Sequence, residues 1–353
     1  MKHIVFLSRL TDEAQLLWVE HLNSQLKNQT VLLPVQIPEG EEALVDIAIV
    51  SNPNPEDLLR YPNLVWVQSL WAGVEGLVQA LKSDVFNKAC LNKRSLNKTS
   101  LDKRSLNKTG LDKRSLNKTG LDKTSFQLVR LIDPTLAQSM AESVLAWTLY
   151  LQRNMPCYAQ QQGQKQWRKL QHKDSKDLRI SMLGAGKLGL ASLNLLQQLN
   201  YSLSCWTRSP KVLDGISHYH GQDGLKAMLE QTDILINLLP LTPNTHHMLN
   251  KETLVWLPKG AKLINFSRGA VVNTDDLLAC LDSGQIEHAV LDVFEQEPLP
   301  VESEVWSHPK ITVLPHISAP TNKKTAAKIV ADNIHLYRTE NKLLESVDIK
   351  LGY

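Results

Sequence analysis

The sequence predicts an α/β fold with two doubly wound domains, in which helices cover parallel sheets. Short apolar runs that are typical of strands alternate with longer stretches of helical periodicity, which is the order that parallel sheets require. A glycine-rich turn lies near the middle of the chain, between one such strand and the helix after it. With 353 residues and 42% hydrophobic content, the chain is long enough for two packed cores.

The glycine turn follows an apolar run at 180–183 and precedes a helical stretch. In a dinucleotide-binding βαβ unit, the first glycine allows the tight turn, the second lets the backbone approach a pyrophosphate, and the third lets the helix pack close to the strand. The start of the helix offers free N–H groups and its positive dipole end to the phosphates. A glycine turn of some other α/β domain is the alternative. We predict that these residues bind a dinucleotide: Gly184, Ala185, Gly186, Lys187, Leu188 and Gly189.

The end of the next strand indicates which dinucleotide binds. NAD enzymes usually place Asp or Glu there for the ribose 2′-hydroxyl, whereas the 2′-phosphate of NADP needs cations and hydroxyls. Residues 205–211 read Cys-Trp-Thr-Arg-Ser-Pro-Lys, and the next acid is Asp214. We therefore expect NADPH, with Arg208, Ser209 and Lys211 around the phosphate, rather than an ordinary basic surface turn.

Composition argues against several other classes of protein. No apolar run approaches the roughly 20 residues of a membrane-spanning helix, and the first residues predict a strand rather than a signal peptide. The cysteines lack metal-site spacing, so we expect no metal and free thiols in a reducing cytoplasm. The net charge of +3 comes from residues 91–125, which hold 10 Lys or Arg and 3 Asp. The rest of the chain has 29 basic and 33 acidic residues, which disfavours nucleic-acid binding.

Residues 91–125 form seven pentads of the pattern Leu-Asn/Asp-Lys-Arg/Thr-Ser/Gly. A period of five turns each Leu by about 140° around a helix and puts successive Leu residues on opposite faces of a strand. Neither element could bury them together, so we expect a mobile, disordered surface loop. Pentapeptide-repeat solenoids share the period, but they place Asn or Asp before the central apolar residue rather than after it.

Four motifs follow one another in a recognisable order: the glycine turn, LLPLTPNT at 238–245, INFSRGAVV at 264–272 with LDVFEQEPLP at 291–300, and LPHISA at 314–319. In this order they make the chain similar to the D-isomer-specific 2-hydroxyacid dehydrogenases. Within that family, LWAGVEG at 70–76 and CWTRSPK resemble the A-type glyoxylate/hydroxypyruvate reductases most. The resemblance implies two Rossmann-like domains. A discontinuous flavodoxin-like substrate domain would span 1–133 and 319–353, and an NADP-binding domain would span 134–318.

Reduction of a 2-oxo acid needs a cation for the carboxylate and ketone, and a proton donor for the developing alkoxide. Arg268 supplies a permanently charged two-donor fork, and His316 can give a proton near neutral pH. The resemblance implies that Glu297 is the carboxylate partner of His316 and that Asp292 orients the nicotinamide carboxamide. It also implies substrate contacts from Trp71, Ala72, Gly73 and Val74. Further cofactor contacts are implied for Trp206, Leu239, Pro240, Thr245, Phe266, Ser267 and His316.

The sequence thus predicts a cytoplasmic enzyme that reduces glyoxylate to glycolate and hydroxypyruvate to glycerate with NADPH, and the family resemblance implies a homodimer. We expect a small 2-oxo acid as its partner, and neither nucleic acid nor membrane. One alternative is a D-lactate or phosphoglycerate dehydrogenase, although phosphoglycerate enzymes usually carry a regulatory domain that we do not expect after Tyr353. The other is a non-catalytic dinucleotide-sensing scaffold with the pentads as its docking tail. His246 and His247 match no catalytic motif and are predicted to be surface residues.

Overall fold

The computed structural model describes residues 2–83, 126–342 and 346–348, so the pentads at 91–125 lie outside the described residues. The chain forms two compact units, Met1–Asp133 with Thr321–Tyr353 and Pro134–Pro320. Each unit is built on a parallel sheet with helices. The predicted α/β fold class is confirmed.

The strands and helices of the described residues alternate along most of the chain. The strands are β1 His3–Ser8, β2 Val31–Leu32, β3 Val45–Ser51, β4 Trp66–Ser69, β5 Gln127–Val129, β6 Arg179–Leu183, β7 Ser202–Thr207, β8 Ser217–His220, β9 Ile234–Asn237, β10 Ala261–Asn265, β11 Ile286–Leu291 and β12 Ile311–Val313. The helices are α1 Asp12–Gln25, α2 Glu75–Lys82, α3 Pro134–Gln152, α4 Met155–Gly163, α5 Lys187–Gln197, α6 Gly221–Leu229, α7 Lys251–Leu254, α8 Thr274–Asp282 and α9 Lys323–Glu340. None of the helices described is both long and apolar enough to cross a membrane.

The sheet of the first unit has the order β2-β1-β3-β4-β5, with all neighbours parallel. This is the order of flavodoxin-like doubly wound sheets. All seven residues of β3 are buried, as expected for a central strand covered on both faces. The apolar run at 31–36 favours a longer strand than the one observed. Pro34 starts a 3₁₀ turn there, because its ring fixes φ and removes a donor from the ladder.

Helices α1 and α9 cover the same face of this sheet. Thr11 caps α1 by accepting the Ala14 N–H at 3.4 Å, and Asn322 caps α9 by accepting the N–H groups of Lys324 and Thr325. Apolar side chains of both helices then join one core with the strands. That core includes Phe6, Trp18, Leu22, Trp66, Val330 and Ile334. The last described helix is therefore part of the first unit, although the whole second unit precedes it in sequence.

The sheet of the second unit has the order β12-β11-β10-β9-β6-β7-β8, again with parallel neighbours. The chain builds outward from β6 to β8, then returns to the other side of β6 with β9. Strand order reverses between β6 and β9, and ligands of such sheets bind beyond the carboxyl ends of the strands at this point. Helices α3 and α5 pack on one face through residues that include Val144, Leu151, Leu193 and Leu196.

Candidate active site

The glycine turn lies at the carboxyl end of β6 and opens α5. Gly184 has a φ of +96°, and a β-carbon there would lie 2.9 Å from the backbone oxygen of Leu238. A β-carbon at Gly189 would lie 2.1 Å from the oxygen of Gly184, so the helix can approach the strand only without one. At Gly186, by contrast, a β-carbon would meet no atom within 4 Å. The turn thus presents an open backbone surface beside the start of α5, as a bound pyrophosphate requires.

The basic segment after β7 is attached to this turn. Lys211 Nζ donates a hydrogen bond to the carbonyl of Ala185 at 2.8 Å. The Thr207 hydroxyl donates to the Ser209 carbonyl at 2.7 Å. The Thr207 hydroxyl oxygen also lies 2.7 Å from Nε2 of His218. Burial lowers the pKa of His218, and the nearby charges of His220 and Lys211 lower it further. Lys211 thus holds the segment that contains Arg208 and Ser209 to the glycine turn.

Two buried asparagines organise the ends of β9 and β10. Asn237 and Asn265 are register partners in adjacent strands, and the Asn237 amide donates to Oδ1 of Asn265 at 3.0 Å. Asn237 also donates to Ser267 Oγ at 2.7 Å and accepts the Leu239 N–H, while Asn265 donates to the carbonyl of Arg268. The sequence interpretation missed both asparagines. Their signal was the repeated Leu-Ile-Asn at 235–237 and 263–265.

Arg268 is the third residue after β10, and its Nη1 donates to the Ser267 carbonyl at 2.6 Å. The next residue must be small, because a β-carbon at Gly269 would lie 1.9 Å from the carbonyl carbon of Phe294. The loop after β10 therefore rests against the loop after β11. The hydrogen bond between His316 and Glu297 and the burial of both residues are the main influences on their pKa values, and the positive charge of Arg268 acts on both in the lowering direction.

Asp292 fixes the loop that carries His316. Its side chain is buried, and its two oxygens accept the N–H groups of Ile317 at 2.7 Å and Ser318 at 2.9 Å. Its own N–H donates to the Asn265 carbonyl at 3.1 Å. His316 has a φ of +54°, a left-handed conformation that non-glycine residues rarely adopt. The Asp292 carboxylate thus holds the two residues after His316.

His316 and Glu297 form a hydrogen-bonded pair. His316 Nδ1 lies 2.7 Å from Glu297 Oε2, and Glu297 Oε1 accepts the Phe294 N–H at 3.0 Å. The bond to Glu297 raises the pKa of His316, although burial opposes this shift. Burial raises the pKa of Glu297, but the bonds from His316 and Phe294 outweigh it and leave that pKa below its ordinary value. Both shifts favour the imidazolium–carboxylate form of the pair, and Nε2 of the ring takes no part in this contact.

The remaining residues singled out in the sequence divide between the units. Leu239, Pro240, Thr245, Phe266 and Ser267 lie beyond β9 and β10, where Thr245 donates to the Pro240 carbonyl at 2.6 Å. Trp206 is the second-last residue of β7, and its indole N–H donates to the Gly221 carbonyl. Trp71, Ala72, Gly73 and Val74 belong to the first unit, between β4 and α2. There Trp71 packs edge to face on Trp18, with ring centroids 6.3 Å apart.

The geometry of the second unit suits a dinucleotide and an acid–base reaction. An open glycine turn with a basic neighbour lies at the switch point of the sheet. Arg268, Glu297 and His316 follow neighbouring strands at the same edge, where a ligand would extend from the turn. Among the described residues, no group of three or more His, Cys, Asp or Glu side chains is arranged to hold a metal ion.

Residues 145–318 match the family model described as D-isomer specific 2-hydroxyacid dehydrogenase, NAD binding domain. Glyoxylate/hydroxypyruvate reductase A from Photorhabdus laumondii subsp. laumondii is 33% identical over 350 residues, which cover 99% of each chain.

Solved structures of related proteins also align with this chain over its whole length. A D-isomer specific 2-hydroxyacid dehydrogenase from Xanthobacter autotrophicus Py2, in complex with NADPH and MES, aligns with a TM-score of 0.81 and 31% identity, covering 100% of this chain and 99% of its own. An NADPH-dependent glyoxylate/hydroxypyruvate reductase from Sinorhizobium meliloti, in complex with NADP and sulfate, aligns with a TM-score of 0.81 and 28% identity, covering 100% of both chains. The likeness extends over both units.

Proposed function

The chain belongs to the D-isomer-specific 2-hydroxyacid dehydrogenase family, and we propose that it reduces glyoxylate to glycolate and hydroxypyruvate to glycerate with NADPH. The observation that carries this proposal is the hydrogen bond of 2.7 Å between His316 and Glu297, with the charge of Arg268 acting on both. A proton donor and a fixed cation at one edge of a dinucleotide-binding sheet are the groups that reduction of a 2-oxo acid needs.

NADPH is the cofactor that these residues fit best. The backbone of Gly184–Gly189 and the start of α5 would hold its pyrophosphate. Arg208, Ser209 and Lys211 would hold the 2′-phosphate, since the segment after β7 carries two cations and a hydroxyl where an NAD enzyme has an acid. The two structural relatives described above were solved with NADPH and NADP, which supports this choice. When bound, the reduced nicotinamide supplies the hydride.

Arg268 binds the carboxylate of the substrate and polarises its ketone. Its guanidinium keeps its charge at all relevant pH values and offers two parallel donors to an oxyanion. The bonds from Asn237 to Ser267 and from Asn265 to the Arg268 carbonyl fix the loop from which this side chain extends. Charge that develops on the ketone oxygen would thus meet a cation that needs little rearrangement.

His316 delivers the proton to the developing alkoxide from Nε2. Glu297 holds Nδ1 and so fixes both the ring orientation and the nitrogen that faces the substrate. Because the bond to Glu297 raises the pKa of His316, the ring stays protonated to higher pH than an ordinary histidine. In the oxidative direction, the same nitrogen would accept the proton of the 2-hydroxy acid.

The family resemblance also assigns substrate contacts to residues of the first unit. The amides of Ala72, Gly73 and Val74 would bind the substrate carboxylate, and Trp71 would limit the pocket to oxo acids of two or three carbons. The segment 71–74 precedes α2, whose amides add to the positive potential at its N-terminus. The family resemblance also supports a homodimer in the cytoplasm, which sedimentation and cell fractionation would test.

The proposal is tested by following the loss of NADPH absorbance with four oxo acids: glyoxylate, hydroxypyruvate, pyruvate and phosphohydroxypyruvate. We expect the highest kcat/KM with the first two, and a higher kcat/KM with NADPH than with NADH. Preference for pyruvate or phosphohydroxypyruvate would favour a D-lactate or phosphoglycerate dehydrogenase. Tight NADPH binding without turnover of any oxo acid would favour the dinucleotide-sensing scaffold.

A further inference from the structure

A second histidine–glutamate pair lies close to the first. His247 Nε2 is 2.6 Å from Glu295 Oε1, and the side chains are 32% and 45% exposed. His247 follows β9, within the 238–250 segment, whereas Glu295 lies in the loop after β11 that also holds Glu297. His247 thus lies at the surface, as predicted, and its ring bridges two loops of the site.

The backbone of His247 is tied to the residues that follow Arg268. Its N–H donates to the Ala270 carbonyl at 2.8 Å, and the Leu249 N–H donates to the Val271 carbonyl at 3.0 Å. Asn273 Nδ2 lies 3.4 Å from Nδ1 of the same ring. A displacement of the loop after Arg268 would therefore move His247 with it.

Glu295 is tied in the same way to the loop of Glu297. Its neighbour Phe294 donates the N–H that Glu297 accepts. The backbone of Gly269 lies directly against this stretch, since a β-carbon there would be 2.3 Å from the Glu295 nitrogen. The His247–Glu295 hydrogen bond, together with the backbone bond from His247 to Ala270, thus links the loop that carries Arg268 to the loop that carries Glu297, at the place where they touch.

We propose that His247 and Glu295 are positioning residues that hold Arg268 at a set distance from the His316–Glu297 pair. The inference rests on the proposed function, because it assigns a role relative to the substrate carboxylate. Neither side chain is a catalytic residue in this scheme. Loss of the link leaves the proton donor intact but lets the Arg268 loop move against the loop after β11. Binding of the oxo acid should then weaken more than turnover.

The test compares KM and kcat for glyoxylate in His247→Ala and Glu295→Ala. We expect a KM about tenfold higher in each, with kcat changed by less than about threefold, because a 1 Å misplacement of a binding group can cost up to about a hundredfold. The double variant should be no worse than either single one, since both remove the same contact. His247→Gln, whose Nε2 can still donate to Glu295, should restore most of the wild-type KM. The pH dependence of kcat should stay that of the wild type.

His308→Ala is the matched control, because His308 pairs with Asp282 at 3.3 Å in the same unit but away from these loops. An equal rise of KM in this control would reduce the effect to general destabilisation and overturn the proposal. Unchanged KM in both alanine variants, or a loss confined to kcat, would overturn it as well. Glu295→Ala alone carries the test if His247→Ala does not fold. A wild-type enzyme without oxo-acid turnover would instead refute the proposed function.

Discussion

Replacing Glu297 with Gln should move the pH dependence of turnover to lower pH. The hydrogen bond to Glu297 is the largest cause of the raised pKa of His316, and Gln keeps the size of the side chain but removes its negative charge. The protonated imidazole is then less stabilised. Since turnover in the reductive direction needs the His316 proton, the fall of kcat at high pH should begin at a lower pH than in the wild type.

The size of the effect follows from the exposure of the pair. A hydrogen bond to a charged group contributes about 1.5–3 kcal/mol when water is excluded. The His316 side chain is 53% exposed and that of Glu297 is 35% exposed, so solvent screens part of this energy. We take about 1–1.5 kcal/mol, which corresponds to roughly a tenfold loss of kcat at pH values above the pKa of His316 in both proteins, and to a smaller loss at lower pH. Removing the proton donor itself, in His316→Ala, should cost about 10²–10⁴-fold.

The assay is a kcat profile against pH with saturating glyoxylate and NADPH. Glu302→Gln is the matched control, because it removes the same charge from an exposed position a few residues further along. Its profile should coincide with that of the wild type. If the Glu297→Gln profile also coincided with the wild type, or moved to higher pH, the assignment of His316 as the proton donor held by Glu297 would be wrong.

Three further changes have expected outcomes. Arg268→Lys keeps the charge but loses the two-donor fork, so the KM for glyoxylate should rise about 10–100-fold while NADPH binding is retained, as kinetics and fluorescence titration would show. Gly189→Ala places a β-carbon 2.1 Å from the Gly184 oxygen and should weaken NADPH binding at least about tenfold, whereas Gly163→Ala meets no atom within 4 Å and should not. Burial raises the pKa of Asp233, but bonds from Arg179 and Lys173 hold it at about 2, against an ordinary 3.8. Because its pKa is lowered in the folded protein, ionised Asp233 stabilises the fold at pH values above its ordinary pKa, and this contribution is lost as pH falls towards 2. Asp233→Asn should therefore lower the free energy of unfolding by about 2 kcal/mol at pH 7 and by almost nothing at pH 2, as urea titration would show.

Much of the second unit follows from local pattern. The glycine turn can be predicted because backbone atoms leave no room for a β-carbon at Gly184 and Gly189, and such close contacts require glycine at a fixed spacing. Buried strands such as β9 and β10 can be predicted from the sequence because both of their faces are covered, so most of their residues are apolar. β8, with the sequence Ser-His-Tyr-His, has no such run. It forms a strand at the sheet edge because β7 supplies backbone hydrogen-bond partners, and its own side chains do not predict this pairing.

The site shows the same division. Arg268 and His316 can be proposed from sequence because the chemistry of their side chains suits a 2-oxo acid and their motifs are ordered along the chain. The sequence does not predict that Asp292 anchors the His316 loop, because its hydrogen bonds to Ile317 and Ser318 form only once β11 and β12 are paired. The pairing of Asn237 with Asn265 likewise depends on the register of two strands.

The sequence by itself determined the family, the α/β class and the residue types available for chemistry, since these depend on composition and on contacts between near neighbours. Tertiary structure alone decided which distant side chains meet. His247 and Glu295 lie 48 positions apart, and their contact follows from the stacking of loops beyond neighbouring strands. Side-chain hydrogen bonds act over about 3 Å. Which side chains become partners therefore depends on how the whole sheet assembles, and this assembly produces no periodic pattern in the sequence.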